Sequence, residues 1–247
     1  AVVSVTNGYT HRFSGFGYAP RKSLCTMMTA SSDINVKGIA MHQAHPPADL
    51  PRAPACARNR EPILAVLKAY LRPGEHVLEI GSGTGEHAVY FAEQLPELTW
   101  QPTERPEHLP GVEAWVEWAR LGNLARPLML DVTARWPVER VDAVFSANTA
   151  HIMSWEAVEA MFLGVGAALK PGGYFLLYGP FNYGGRYTSE SNRHFDETLR
   201  RRDPAMGLRD VADLERLAQR AGLERVNDHA MPANNRVLVW RHVWSES

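Results

Sequence analysis

The 247-residue sequence predicts an α/β fold in which a doubly wound, mostly parallel sheet is covered by helices on both faces. Three observations carry that reading. From residue 54 onward, stretches with helical apolar spacing alternate with short strand-like apolar runs. The intervening helices supply the crossover connections that parallel strands require. A glycine-rich turn lies between the first strand and its following helix, the place where open α/β sheets bind ligands.

The first helix is predicted over 61–71, where Ile63, Leu64, Val66, Leu67 and Tyr70 form one apolar face and Pro73-Gly74 stops it. His76-Val77-Leu78-Glu79-Ile80 reads as a short buried strand ending at Gly81. A helix over 86–95 turns Ala88, Val89, Phe91, Ala92 and Leu95 inward. A strand at 98–101 and a helix at 112–119, bearing Trp115 and Trp118 at core-like positions, come next. Strands at 127–130 and 141–146 then lead into a helix over 155–169, closed by Pro171-Gly172-Gly173. The fifth strand covers 174–178, and a glycine-rich loop precedes a helix at 210–221 that Gly222 terminates. The last strands, at 223–228 and 236–243, are joined only by the short stretch 231–235, which suits an antiparallel pair at the sheet edge.

Composition excludes several classes. Lys plus Arg number 26 against 27 Asp plus Glu, so there is no basic excess for tracking phosphates, and nucleic-acid binding is not expected. The run Arg200-Arg201-Arg202 is flanked by Asp196, Glu197 and Asp203 and reads as a solvated helix face. No apolar run reaches the roughly 18 residues of a membrane span. Cys25 and Cys56 make neither a disulfide framework nor a CxxC pair, which points to a reducing, cytoplasmic setting. No metal site is expected, because nothing near His42 and His45 completes a ligand set.

The chain divides into an extended or disordered arm over 1–54 and a domain over 55–247. The arm carries Arg12, Arg21, Lys22, Lys37 and Arg52 against Asp33 and Asp49, and it lacks apolar periodicity. Its composition loosely matches an organellar transit peptide. It reads better as an extension ahead of the true start, with Met27, Met28 and Met41 as internal start candidates.

The most informative segment is Glu79-Ile80-Gly81-Ser82-Gly83-Thr84-Gly85. Gly81 allows a tight turn, Gly83 lets a ligand approach the backbone, and Gly85 allows close packing at the helix start. Glu86 follows, and an acid there would face the phosphates of a dinucleotide but not an ammonium or sulfonium group. A P-loop is excluded because no Gly-Lys-Ser/Thr follows. Glu104 ends the second strand, where a carboxylate accepts both hydrogen bonds of a ribose diol. Asp131 and Val132, at the end of the third, offer a side-chain acceptor and a backbone N–H that match the edge of adenine.

Through Val77-Leu78-Glu79-Ile80-Gly81-Ser82-Gly83-Thr84-Gly85 and these acids, the chain resembles the class I S-adenosylmethionine-dependent methyltransferases. More narrowly it is similar to the DUF938 family, related to methyltransferase-like protein 26. The strings that carry this are Ala57-Arg58-Asn59-Arg60-Glu61-Pro62-Ile63, Leu98-Thr99-Trp100-Gln101-Pro102, Tyr178-Gly179-Pro180-Phe181 and Met231-Pro232-Ala233-Asn234-Asn235. The family usually has Asp where this chain has Glu104. The resemblance implies a Rossmann-like, seven-stranded sheet with its last strand antiparallel. It also implies S-adenosylmethionine bound over the glycine loop, against Glu79, Gly81, Ser82, Gly83 and Gly85. It implies no particular substrate.

Methyl transfer needs an aligned nucleophile in a site that excludes water. Asn148 and His151 follow the fourth strand; Asn148 is expected to orient the methionine moiety or an acceptor, and His151 to act as a base. Tyr183 is a second catalytic candidate, better suited to hydrogen bonding. Phe181, Asn182, Asn234 and Asn235 are expected at the acceptor, a small molecule, although the two latter residues also suit turn geometry. Arg58 is expected to pair with the methionine carboxylate. Two rival readings are an S-adenosylmethionine-binding partner protein without turnover and a dinucleotide-dependent oxidoreductase.

Overall fold

Proline and glycine set many of the element boundaries in the computed structural model, which describes residues 46–138 and 140–243. The elements are α1 (Pro54–Tyr70), β1 (His76–Ile80), α2 (Glu86–Gln94), β2 (Thr99–Glu104), α3 (Leu109–Ala119), β3 (Leu128–Met129), β4 (Val141–Ala147), α4 (Trp155–Ala168), β5 (Leu169–Gly179), β6 (Phe181–Asn182), α5 (Glu190–Arg202), β7 (Arg209–Asp210), α6 (Val211–Arg220), β8 (Leu223–Met231) and β9 (Asn235–His242).

The main sheet has the order β3-β2-β1-β4-β5-β9-β8. Strands β1 to β5 run parallel, and β9 pairs antiparallel with both β5 and β8. The predicted seven-stranded, mostly parallel sheet with an antiparallel last strand is therefore observed. The final strand inserts between β5 and β8, so β8 and not β9 forms the edge. Strand β1 lies between β2 and β4, where the chain switches from building one half of the sheet to building the other.

Side chains alternate across the strands, which explains why both faces are apolar. Leu78, Val144, Phe175, Leu177, Leu238 and Trp240 point into one core, shared with Val158, Phe162, Leu214 and Leu217. Val77, Phe145, Leu176, Val237 and Val239 point into the other, with Ile63, Leu67, Phe91, Trp100 and Trp115.

The differences from the predicted elements have local causes. Helix α1 starts at Pro54, seven residues ahead of the predicted start, because proline at the first helical position forgoes only an amide that would be unpaired. Pro62 lies inside it, and the amide it lacks would have bonded to the carbonyl of Arg58, a residue on the exposed side. Strand β5 runs through Pro171-Gly172-Gly173, which the sequence reading treated as a helix terminator. Helix α5 was hidden because its mean character is polar; Ser189 caps it by accepting the Asn192 N–H at 3.1 Å. The predicted arm over 1–54, with its targeting character, start candidates and the His42/His45 pair, lies outside the described residues except for 46–54, of which Pro54 already begins α1. Those residues dock on the domain: Trp115 Nε1 donates to the Pro51 carbonyl at 2.7 Å. Among the described residues, no helix is long and apolar enough to cross a membrane.

Candidate active site

The turn after β1 is shaped by three glycines, each at positive φ. At Gly81 (φ +70°), a β-carbon would lie 2.6 Å from the Thr149 methyl group, so this position locks the turn against the loop after β4. A β-carbon on Gly85 would meet Trp115 and Val112 of α3 at 3.0 and 3.1 Å. Gly83 differs, since nothing lies within 4 Å of where its β-carbon would stand. The tight turn expected at Gly81 and the close packing expected at Gly85 match this geometry, and the open side of the turn is at Gly83.

Carboxylates surround the turn. Glu104, buried at the tip of β2, accepts the Gly83 N–H at 2.6 Å through one oxygen and the Arg105 N–H at 2.8 Å through the other. Each oxygen keeps a lone pair for a further donor. Glu79 is 1% exposed and accepts Trp100 Nε1 at 2.9 Å. Burial, with Glu104 adding to it, pushes its carboxyl up to about 7. Ser82 is buried beside Glu79, and its hydroxyl makes no hydrogen bond of normal geometry.

Glu86, expected to face a ligand, is hydrogen-bonded within the protein. Its carboxylate accepts the Ala53 N–H and the Thr84 hydroxyl, tying the entry of α1 to the glycine turn. The cause is the early start of α1, which brings an unpaired backbone amide to that acid. Cys56, on the same first turn, has its thiol pushed up to about 12 by burial and by Glu86 and Glu79, so it is no nucleophile.

The remaining expected ligand groups distribute around the strand tips. Asp131 is exposed, and its Oδ1 accepts the Thr133 N–H at 2.9 Å and the Thr133 hydroxyl at 2.7 Å; these bonds hold its carboxyl below the usual range. Val132 is half-buried, its carbonyl accepts Trp136 Nε1 at 3.2 Å, and its N–H makes no hydrogen bond among the described residues. Asn148 takes a left-handed conformation (φ +59°) after β4, and its N–H donates to the Tyr178 carbonyl at 2.9 Å. Arg58 is exposed on α1, near enough to the buried Tyr178 for its charge to act on that hydroxyl.

On the β4–β5 side, His151 is buried, with its ring edge-on to Phe195 at 5.2 Å and close to Gly179 at the end of β5. Burial first, and the Arg209 charge second, lower its pKa to about 4, so the ring is neutral at physiological pH.

Tyr183 is committed elsewhere. Its hydroxyl donates to Asp228 at 2.8 Å and is pushed up to about 12 by burial and that carboxylate, leaving it a strut to β8. Phe181 is 2% exposed and belongs to the core, because strand alternation turns it inward and Asn182 the other way. Asn182 Oδ1 is buried without a partner. Asn234 (φ +58°) donates to Ser191 and so ties the turn between β8 and β9 to α5, while the Asn235 amide bonds the Pro232 carbonyl at 3.2 Å within that turn.

Sequence reasoning missed His87, whose Nε2 meets Asn59 Oδ1 at 2.8 Å between α1 and α2, and Arg209, described below. The Arg-Asn-Arg string before α1's apolar face was the available signal for the first. Among the described residues, no group of His, Cys, Asp and Glu could hold a metal ion.

A sheet of this order, with a glycine turn at its switch point and acids on adjacent strand tips, defines a Rossmann-like domain of the methyltransferase type. Solved structures show the same fold. An O-methyltransferase family protein from Burkholderia thailandensis is 16% identical with a TM-score of 0.67, covering 78% of this chain and 58% of its own. The O-methyltransferase family 2 protein of Planctomyces limnophilus, in complex with apigenin, is 15% identical at a TM-score of 0.67, over 76% and 60%. A methyltransferase in calicheamicin biosynthesis, in its S-adenosylhomocysteine-bound form, is 17% identical at 0.60, over 75% and 54%. The chain thus spans a little over half the length of these proteins. A family model matches residues 50–242, and the chain belongs to that family, DUF938, described as a protein of unknown function.

Proposed function

We propose that this protein is an S-adenosylmethionine-dependent methyltransferase that acts at oxygen, nitrogen or sulfur of a small molecule. The observation that carries the reading is the open face of Gly83, whose N–H is held by the Glu104 carboxylate above buried Glu79. An uncrowded turn rimmed by acids suits a cationic nucleoside and opposes a diphosphate. The structural neighbours named above as methyltransferases, one with S-adenosylhomocysteine bound, support the same assignment. The strings quoted above support the narrower likeness to methyltransferase-like protein 26.

In this reading Glu104 accepts the ribose diol, while Asp131 and the free Val132 N–H meet the adenine edge. Glu79, Ser82 and Asn148 line the methionine end, and Arg58 pairs with its carboxylate. When bound, S-adenosylmethionine supplies an electrophilic methyl group on a sulfonium. The chain's own residues position the acceptor and keep water out. His151 and the unpartnered Asn182 Oδ1 face that acceptor, with Asn234 and Asn235 at the rim. A ring with a pKa near 4 is a weak base, so the acceptor side favours a nucleophile that is already acidic or ionised.

The same weak base also suits the rival reading, a binding protein without turnover. Calorimetry with S-adenosylhomocysteine tests the cofactor assignment, and absence of binding refutes it. Incubation with methyl-labelled cofactor and cell extract then separates the readings: label in a small molecule supports transfer, whereas binding without any labelled product supports the rival.

A further inference from the structure

The loop after β4 is held from behind by a buried arginine. Arg209, 8% exposed, sends Nε to the Ala150 carbonyl at 2.9 Å and NH2 to the carbonyls of Met153 and of Ala205, the latter at 3.0 Å. Its guanidinium lies 5.9 Å from the Trp155 ring. Among the described residues no carboxylate is within ion-pairing distance of it. The carbonyls of 150 and 153 bracket His151, and the carbonyl of His151 itself accepts the Gly207 N–H at 2.9 Å. A buried cation without an ion-pair partner is costly to desolvate, yet here its fork satisfies two carbonyls of the 150–153 turn, which no regular element stabilises, and the carbonyl of Ala205 after α5.

We propose that Arg209 is a positioning residue: it fixes the 150–153 turn and so holds the His151 ring against the acceptor side of the cleft. This rests on the reading of His151 as an acceptor-facing group. The charges around the ring come from three elements. Arg209 lies on β7; Asp196 and Arg200 of α5 pair with each other at 2.8 Å, with Tyr187 also donating to Asp196; Glu156 of α4 is exposed to solvent. Arg209 is thus the buried charge that the imidazole feels; Asp196 and Glu156 offset it in part, and it disfavours protonation of the ring. The same positive field favours binding of an acceptor in its ionised, anionic form before transfer, which neutralises it.

The experiment compares the full chain with Arg209→Met and Arg209→Lys by NMR titration of the His151 ring, amide exchange at Gly207 and S-adenosylhomocysteine calorimetry. In Arg209→Met the pKa of His151 should rise by roughly one pH unit, with burial still holding it below 6.5. Arg209→Lys keeps the charge but loses the fork. It should retain the His151 titration while Gly207 exchanges at least about tenfold faster. Cofactor-product affinity should stay within about twofold in both, since Arg209 bonds the carbonyls of Ala150, Met153 and Ala205 and none of the glycine turn. Unchanged Gly207 exchange in Arg209→Lys overturns the proposal, and so does an unchanged His151 titration in a folded Arg209→Met. Should the Met variant fail to fold, the Lys variant decides alone. Loss of S-adenosylhomocysteine affinity in Arg209→Lys would mark a general structural role and also overturn it. Failure of the wild-type protein to bind S-adenosylhomocysteine sinks the methyltransferase reading but leaves the NMR comparison intact.

Discussion

Replacing Glu79 with Gln should stabilise the protein at pH 8 and change it little at pH 5. The carboxyl has Trp100 Nε1 as its donor, lies at 1% exposure and is raised from 4.5 to about 7. A carboxyl raised in the folded state contributes stability that is fully present below its unfolded value and is lost as pH rises through the folded one. A rise of about 2.5 pH units, at 1.36 kcal/mol each, corresponds to about 3 kcal/mol lost by pH 8. Gln mimics the neutral acid and still accepts from Trp100, so the variant escapes that loss. His87 and His151 act in the opposite sense: both are lowered to about 4, and the stability they contribute above 6.5 is lost as pH falls through 4. They are common to both proteins and cancel in the difference. Urea unfolding at pH 5, 6, 7 and 8 should therefore show the Gln variant gaining about 2 to 3 kcal/mol on the wild type across that range. Parallel stability curves would show that Glu79 is ionised throughout and would refute the reasoning.

Other outcomes follow from the same geometry. Gly81→Ala should destabilise the domain by about 2 to 4 kcal/mol, because φ is +70° and the new methyl lies 2.6 Å from that of Thr149; adding Thr149→Ser should recover only the steric part by thermal unfolding. Glu104→Ala leaves the Gly83 and Arg105 amides without their acceptor and should weaken S-adenosylhomocysteine binding by about ten- to a hundred-fold in calorimetry. Wild-type affinity in a folded variant removes Glu104 from the ribose role. His151→Ala should lower turnover by about tenfold or more while leaving cofactor affinity within about twofold. An unaltered rate excludes it from the acceptor site.

The two ends of the cleft differ in charge. The β1–β2 side carries Glu79 and Glu104, whereas the β4–β5 side carries buried Arg209 behind neutral His151. In the methyltransferase reading proposed above, that polarity suits a cationic donor at one end and an electron-rich acceptor at the other.

Alternation of helical and strand periods was enough to define the sheet, since residues buried on both faces leave a continuous apolar run that few other folds tolerate. The roles of Gly81, Gly83 and Gly85 were legible for a similar reason: a backbone at positive φ, or one that another chain segment must approach, selects glycine wherever it occurs. Glu104 was placed by its position at the end of a strand next to that turn. What sequence spacing does not encode is which partner a polar side chain takes. Tyr183 looked available until β8 brought Asp228 to its hydroxyl, and Phe181 looked like a binding residue until strand parity turned it into the core. Arg209 is 58 residues from His151 in the chain, and only the packing of β7 under the β4 loop joins them. Local chemistry thus determined the fold and the glycine turn, while tertiary contacts decided the protonation and commitment of each candidate, because burial and neighbouring charge are properties of the folded chain.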